Sequence, residues 1–228
     1  MREIVFDTET TGLDPQSGDR MVEIGCVELV NRVETGATFH AYFNPQRDMP
    51  AQAEAVHGLS AAFLSDKPLF AALADDLMAF LGDAPLIAHN AAFDFGFLNA
   101  ELKACGREPV SLDRMVDTVA IARKKHPGAK LSLDALCTRY GVDRSHRVKH
   151  GALFDAELLA QVYVELTGGR QIGLELAAEA VAVESSAELV TVRVERVFRA
   201  PRPHSATPEE QERHQAFIKQ MPSPLWGK

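Results

Sequence analysis

The sequence predicts an α/β fold: a mixed sheet of five strands flanked by helices, followed by an extended C-terminal tail. Three observations carry this prediction. The N-terminal part holds three runs of strand character joined by short polar turns. Helical periodicity then takes over, interrupted by one short apolar run. After Gly169 both patterns give way to chain rich in Ala, Val, Glu and Pro.

The elements follow in order. Ile4-Val5-Phe6 reads as a buried strand that leaves the core at Asp7-Thr8-Glu9-Thr10-Thr11-Gly12. Met21 to Val30 is a second strand, apolar on both faces apart from Glu23 and Glu28. Thr38 to Phe43 alternates, with Phe39, Ala41 and Phe43 on one side, and stops at Asn44-Pro45. These three make an antiparallel meander. Phe70, Leu73, Ala74, Leu77 and Leu81 share a helical face closed by Gly82 and Pro85. Leu86-Ile87-Ala88 is a brief strand, and a helix follows from about Ala91 to Cys105, ended by Gly106. Ser132 is the N-cap of a helix that reaches Tyr140 and closes at Gly141. Phe154, Leu158, Val162 and Leu166 mark a further helix, stopped by Gly168-Gly169. Beyond it, Val190 to Val197 alternates like a strand with no evident sheet to join, and Pro208 to Met221 is amphipathic.

Composition narrows the class. With 228 residues, 46% hydrophobic and 25% charged, the chain is globular and suits one domain plus an appendage. Its apolar runs fall short of a membrane span, and Asp7 arrives before a signal-peptide core has room to form. Three widely spaced cysteines (Cys26, Cys105, Cys137) fit a reducing cytosol better than a disulfide or zinc framework. The net charge of −8 argues against holding nucleic acid by bulk positive charge. The charge is uneven, however. Residues 1–168 carry 16 bases and 24 acids, yet the stretch 123–149 within them holds eight bases against Asp134 and Asp143. A solvated face and a phosphate-binding role both remain open for that stretch.

The acids carry the chemistry. Asp7 and Glu9 are two apart on a strand, so both carboxylates project from the face of Val5. Held together they repel, and a divalent ion is the usual relief; oxygen ligands suit Mg²⁺ or Mn²⁺. Alone, the run is equally an ordinary Asp/Thr/Gly turn. Asp94 lies in the first turn of its helix among Phe93, Phe95 and Phe97, a costly place for an acid unless it is paired or coordinated. Asp155 flanks an apolar stripe in the same way. For both, stabilisation of a helix N-terminus is the simpler alternative. His150 precedes Asp155 by five residues in a loop, where a histidine beside carboxylates is a candidate general base.

Three segments now stand in order: Phe6-Asp7-Thr8-Glu9-Thr10-Thr11-Gly12, His89-Asn90-Ala91-Ala92-Phe93-Asp94 and His150-Gly151-Ala152-Leu153-Phe154-Asp155. Together they resemble the DEDD superfamily of 3′–5′ exonucleases, in its histidine branch, over about residues 2–168. Within it the chain is most similar to the proofreading (epsilon) subunits of bacterial DNA polymerase III. The resemblance implies a ribonuclease H-like fold and cleavage of DNA from its 3′ end to nucleoside 5′-monophosphates. It implies that Asp7, Glu9, Asp94 and Asp155 hold two divalent ions, Mg²⁺ or Mn²⁺, with Asp7 bridging them and His150 as general base. Ala53-Glu54-Ala55-Val56-His57-Gly58-Leu59 is similar to the segment lying against the terminal nucleotide, and Thr10, Gly12, Leu13, Gln52, His57, Asn90 and Phe93 are implied substrate contacts. Gln52 departs from the pattern, which often has glutamate there; an amide still hydrogen-bonds a 3′-hydroxyl.

The tail discriminates among members. Gln171-Ile172-Gly173-Leu174-Glu175-Leu176 is similar to the glutamine-led peptides that bind bacterial sliding clamps, with Gln171, Leu174 and Leu176 as its contacts; an ordinary helix start is the alternative. The segment His214 to Trp226 resembles the piece that binds the polymerase (alpha) subunit, with Phe217, Leu225 and Trp226 as anchors; docking onto its own domain is the alternative. These resemblances divide the chain into an exonuclease domain (1–168), a linker with the clamp peptide at 171–176 (169–208) and a polymerase-binding segment (209–228). They imply a bacterial, nucleoid-associated cytoplasmic protein. An RNA-processing exoribonuclease of the oligoribonuclease or RNase T type shares the catalytic motifs and is the competing activity. A non-catalytic adaptor joining clamp and polymerase is the competing class.

Overall fold

Alternation along the first strand decides the layering. In β1 (Arg2–Thr10), Ile4 and Phe6 face one way and Val5 the other, and all three are fully buried. A strand buried on both faces needs cover on both. The computed structural model describes residues 1–145, 150–169 and 205–222, and the chain divides into two units, Met1–Leu176 and Ala177–Lys228.

In the first unit β1 pairs antiparallel with β2 (Met21–Val30), which pairs antiparallel with β3 (Val33–Tyr42). Helices α1 (Ala51–His57), α2 (Ala61–Leu64) and α3 (Phe70–Leu81) follow. Strand β4 (Leu86–Ala88) then joins β1 in parallel and leads into α4 (Ala91–Ala104). Strand β5 (Met115–Asp117) pairs in parallel with β4 and runs into α5 (Thr118–Lys125), α6 (Leu133–Tyr140) and α7 (Ala152–Leu166). The five strands stand in the order β3-β2-β1-β4-β5, the mixed sheet that the sequence predicts. Ile4, Phe6, Ile24 and Cys26 pack on α3 and α4; Val5, Val27, Leu29 and Ile87 pack on α7. Helices α5 and α6 pack on the outer side of α7 through Ala122, Leu136, Leu158 and Val162.

Some boundaries differ from the sequence reading. β1 continues through Asp7, Thr8 and Glu9 because their backbones pair with Gly25, Ile24 and Glu23. Polar side chains on one face do not interrupt a ladder made by backbone groups. β3 starts at Val33, five residues before the alternating run, with an exposed and weakly patterned first half. β5 and the helices α1, α2 and α5 are short and go unnamed in the sequence reading. In the second unit α8 (Pro208–Lys219) opens with a capping box between Thr207 and Glu210. Among the described residues no helix is long and apolar enough to cross a membrane. The alternating run at 190–197 lies outside the described residues.

Candidate active site

The carboxyl ends of the three parallel strands converge on one edge of the sheet, where open α/β sheets place their ligands. Asp7 and Glu9 stand near the end of β1 on the face that α7 covers; Asp7 is half-buried and Glu9 buried. β4 delivers the N-terminus of α4, whose first turn carries Asp94, 3% exposed. The Thr8 hydroxyl donates to Asp94 Oδ1 at 2.7 Å across 86 residues of sequence. The first turn of α7 carries Asp155, also 3% exposed, and His150 lies just before the helix with Nδ1 3.2 Å from Asp155 Oδ2. A cavity of about 270 Å³ is lined by Asp7, Glu9, Asp94, His150 and Asp155 together. The five residues singled out from the sequence are thus neighbours in space.

The electrostatics of this cavity would suit a cation. Burial pushes the Asp94 carboxyl up to about 7, with the negative charge of Asp117 adding to the effect and the Thr8 hydrogen bond opposing it. One ligand atom from each of Glu9, His150 and Asp155 lies within 4.8 Å of the others. A lining dominated by carboxylates, with two imidazoles (His89 and His150) and no thiolate, fits a hard divalent cation.

A second cavity, of about 510 Å³, shares Thr8, Glu9 and Phe93 with the first. It collects Thr10, Gly12, Leu13, Gln52 and His57 from the turn after β1 and from α1. Leu13 is 83% exposed at its rim, an apolar surface open to a partner. The turn is held from below: Asp19 accepts from the Thr11 hydroxyl, from the Asp14 backbone and from Arg47. A side chain at position 12 would meet the Asp19 carboxylate at 2.2 Å, so that carboxylate would have to give up its place under the turn. His57 Nδ1 accepts from the backbone N–H of Leu59 at 3.0 Å, which puts the proton of the neutral ring on Nε2. Asn90 lines neither cavity; it is exposed, in a left-handed conformation at the start of α4.

Several contributors escape sequence reasoning. Asp117 Oδ1 accepts from Val119 N–H at 3.0 Å and from Asn90 N–H at 3.1 Å, so one oxygen serves the N-termini of α5 and α4. His89 lines the first cavity and contacts Thr118 Oγ1 at 2.9 Å, and burial holds its pKa below the usual range. Asp134 lines it too and pairs with Arg144 at 2.8 Å. The signal for Asp117 was local, an Asp-Thr pair at a strand–helix junction; its reach to α4 is visible only in three dimensions. Of the eight bases in 123–149, Lys125 donates to the last carbonyls of α7, at Glu165 and Leu166, while Arg147 and Lys149 lie outside the described residues. Gln171, Leu174, Leu176, Leu225 and Trp226 lie outside them as well; Phe217 is on α8, 58% exposed.

Comparison with known proteins agrees with this geometry. Residues 4–163 match the Exonuclease family. The chain is 49% identical to DNA polymerase III subunit epsilon of Rickettsia felis over 222 residues, covering 96% of each. It is 42% identical to DNA polymerase III subunit epsilon of Escherichia coli K12, covering 95% of this chain and 92% of that one. Among solved structures it is similar to exonuclease X in complex with 5′ overhanging duplex DNA, at 25% identity and a TM-score of 0.55, over 72% of this chain and 90% of that one. The zinc-bound form of the E. coli ExoI–ssDNA complex shares the fold, at 17% identity and a TM-score of 0.62, over 73% of this chain and 40% of that one. The five-stranded mixed sheet flanked by helices is a ribonuclease H-like exonuclease fold. The chain belongs to the Exonuclease family and, within it, to the DNA polymerase III epsilon subunits.

Proposed function

We propose that the chain removes nucleoside 5′-monophosphates one at a time from the 3′ end of DNA, as the proofreading exonuclease of DNA polymerase III. The convergence of Asp7, Glu9, Asp94, Asp155 and His150 on one cavity, beside a second cavity with room for a nucleoside, carries this reading. The names of the relatives support DNA as substrate over RNA.

Exonucleases of this carboxylate-rich type depend on divalent metal. Two ions, Mg²⁺ or Mn²⁺, would be held by Asp7, Glu9, Asp94 and Asp155, with Asp7 serving both. When bound, they make water acidic enough to attack at neutral pH and offset charge on the departing 3′ oxygen. The protein's own part is positional. His150 Nδ1 faces the Asp155 carboxylate, so a neutral ring that donates there presents Nε2 as the acceptor nitrogen. His150 takes the proton of the attacking water and passes it on to solvent, the water oxygen bonds to phosphorus, and the bond to the 3′ oxygen breaks as that oxygen takes a proton from solvent. Leu13 and Phe93 flank the terminal base, His57 backs the pocket that receives the sugar, and the amide of Gln52 bonds a sugar oxygen. Thr10 and Gly12 shape the turn against which they close, through the Thr10 hydroxyl bond to the Gly12 carbonyl at 2.6 Å. Asn90 acts through its backbone, at the start of α4.

The tail completes the assignment: 1–168 as exonuclease domain, 169–208 as tether with a clamp-binding peptide at Gln171, Leu174 and Leu176, and 209–228 as the segment that binds the polymerase (alpha) subunit through Phe217, Leu225 and Trp226. A protein so tethered works at the nucleoid in the bacterial cytoplasm. The test is hydrolysis of an end-labelled primer with a mismatched 3′ terminus, and of the matching RNA. We expect Mg²⁺-dependent release of deoxynucleoside monophosphate, abolished by a chelator and reduced at least about 10³-fold in Asp7→Ala. Equal residual hydrolysis by wild type and Asp7→Ala overturns the catalytic reading, and preferential hydrolysis of RNA overturns the substrate.

A further inference from the structure

β2 carries a glycine where a strand gains nothing from one. Gly25 has no positive φ that would demand glycine, and it sits mid-strand, opposite Asp7 on β1 and His40 on β3. Glycine inside a strand weakens it and marks a place where another backbone comes close. Here that backbone is the first turn of α7. A Cβ built on Gly25 would stand 2.2 Å from Leu153 Cα and from Leu153 N, and 2.4 Å from the Ala152 carbonyl carbon. These are main-chain atoms, which no change of rotamer removes. The same face of β2 continues as Val27 and Leu29, which do carry side chains and pack on Ala156, Leu159 and Ala160 farther along the helix. Helix α7 therefore lies closest to the sheet at its N-terminal turn, beside Asp7.

We propose that Gly25 is a positioning residue for the metal site: its missing side chain sets the height of the α7 N-terminus above the sheet, and so the distance of Asp155 and His150 from Asp7 and Glu9. The inference rests on the metal-site reading above. Its physical content is one of range. Asp7 and Glu9 are fixed to the sheet, whereas Asp155 and His150 ride on α7 and on the residue pair before it. A carbon placed at 2.2 Å must retreat by about 1 Å or more to reach ordinary contact, and the helix turn is what moves. Ion sites and in-line displacement tolerate about 0.5 Å of misplacement. Adding a methyl group at Gly25 thus divides the carboxylate set into two halves without altering any ligand.

Gly25→Ala in the full chain tests this by isothermal titration with Mn²⁺ alone, by thermal melting with and without Mn²⁺, and by hydrolysis kinetics. The expected result is a folded protein whose Mn²⁺ affinity falls about tenfold or more. Its Mn²⁺-induced rise in Tm should shrink, and its kcat should fall about 10²-fold with little change in KM for DNA. Gly96→Ala is the control, since a Cβ there meets nothing within 4 Å, and it should match wild type. Ala156→Val, fully buried one turn further along α7 against the same sheet face, lifts the helix without touching Gly25 and should lower Mn²⁺ affinity in the same sense. That variant decides the matter should Gly25→Ala fail to fold. Wild-type Mn²⁺ affinity in a folded Gly25→Ala, or in Ala156→Val, overturns the inference. Absence of Mn²⁺ binding by wild type overturns instead the metal-site reading beneath it.

Discussion

A carboxyl buried beside a hydroxyl sets the pH response of the site. Asp94 is raised by burial from 3.8 to about 7 in the metal-free protein. Raised in the fold, it contributes stability that is fully present below 3.8 and is lost as pH rises through about 7. A cation must displace that proton, so affinity should fall by up to tenfold per pH unit below about 7 and level off above it. Mn²⁺ titrations at about pH 6 and about pH 8 should therefore differ by about tenfold, with tighter binding at the higher pH. Asp94→Asn, which carries no such proton, should bind weakly with that part of the pH dependence gone. Equal affinity for wild type at both pH values would mean that Asp94 does not hold the ion. In the absence of metal the melting temperature should drop between the same two conditions, and saturating Mn²⁺ should restore more of it at the higher pH.

At the scale of elements, the two helices that flank β5 share one cap. Helix α4 begins at Asn90 with no side-chain cap of its own, and its first N–H groups turn to Asp117 across the β4–β5 gap. The same oxygen caps α5 at Val119. Losing a cap costs about 0.5 to 2 kcal/mol. Asp117→Ala removes two and should destabilise the fold by about 1 to 3 kcal/mol, measured by denaturant unfolding. Because Asp94 rides in the first turn of α4, turnover should fall as well. Asp117→Asn keeps an accepting oxygen and should recover most of both quantities; if it behaves like the alanine variant, charge and not capping explains the residue. This junction also marks how far the sequence was legible. The strand over 21–30 could be read as a continuous apolar run, and the helices over 70–81 and 152–166 because burial writes a repeat into them. β5 has three residues and no room for a repeat. The metal-site candidates were legible because three acid-bearing segments stand together in one order, although each acid taken singly had a structural alternative. The shared cap, the Thr8–Asp94 bond and the contact at Gly25 were not, since each joins segments far apart in sequence whose local pattern is ordinary.

For the whole molecule, the net charge of −8 and a nucleic-acid substrate have to be reconciled. Part of the acid excess is gathered in the cavity where divalent ions would reverse the local field. Part of the basic stretch serves structure, as Lys125 does at the end of α7 and Arg144 does on Asp134. What remains predicts a weak electrostatic hold on free DNA, which the tether proposed above would offset by raising local concentration. The capping box of α8 and its exposed Phe217 suit a helix that offers an apolar side to a partner. Phe217→Ala and Trp226→Ala should therefore leave hydrolysis of a free single-stranded oligonucleotide unchanged, because neither residue lies within residues 4–163, which match the Exonuclease family. With the polymerase subunit present, the same variants should lose about 10²-fold in removal of a mismatched primer terminus at sub-micromolar concentrations, and raising the variant's concentration to the effective local value should restore it. Tight binding of the isolated protein to DNA, insensitive to salt and to these substitutions, would place the hold on substrate in the exonuclease domain and leave the tail without this role.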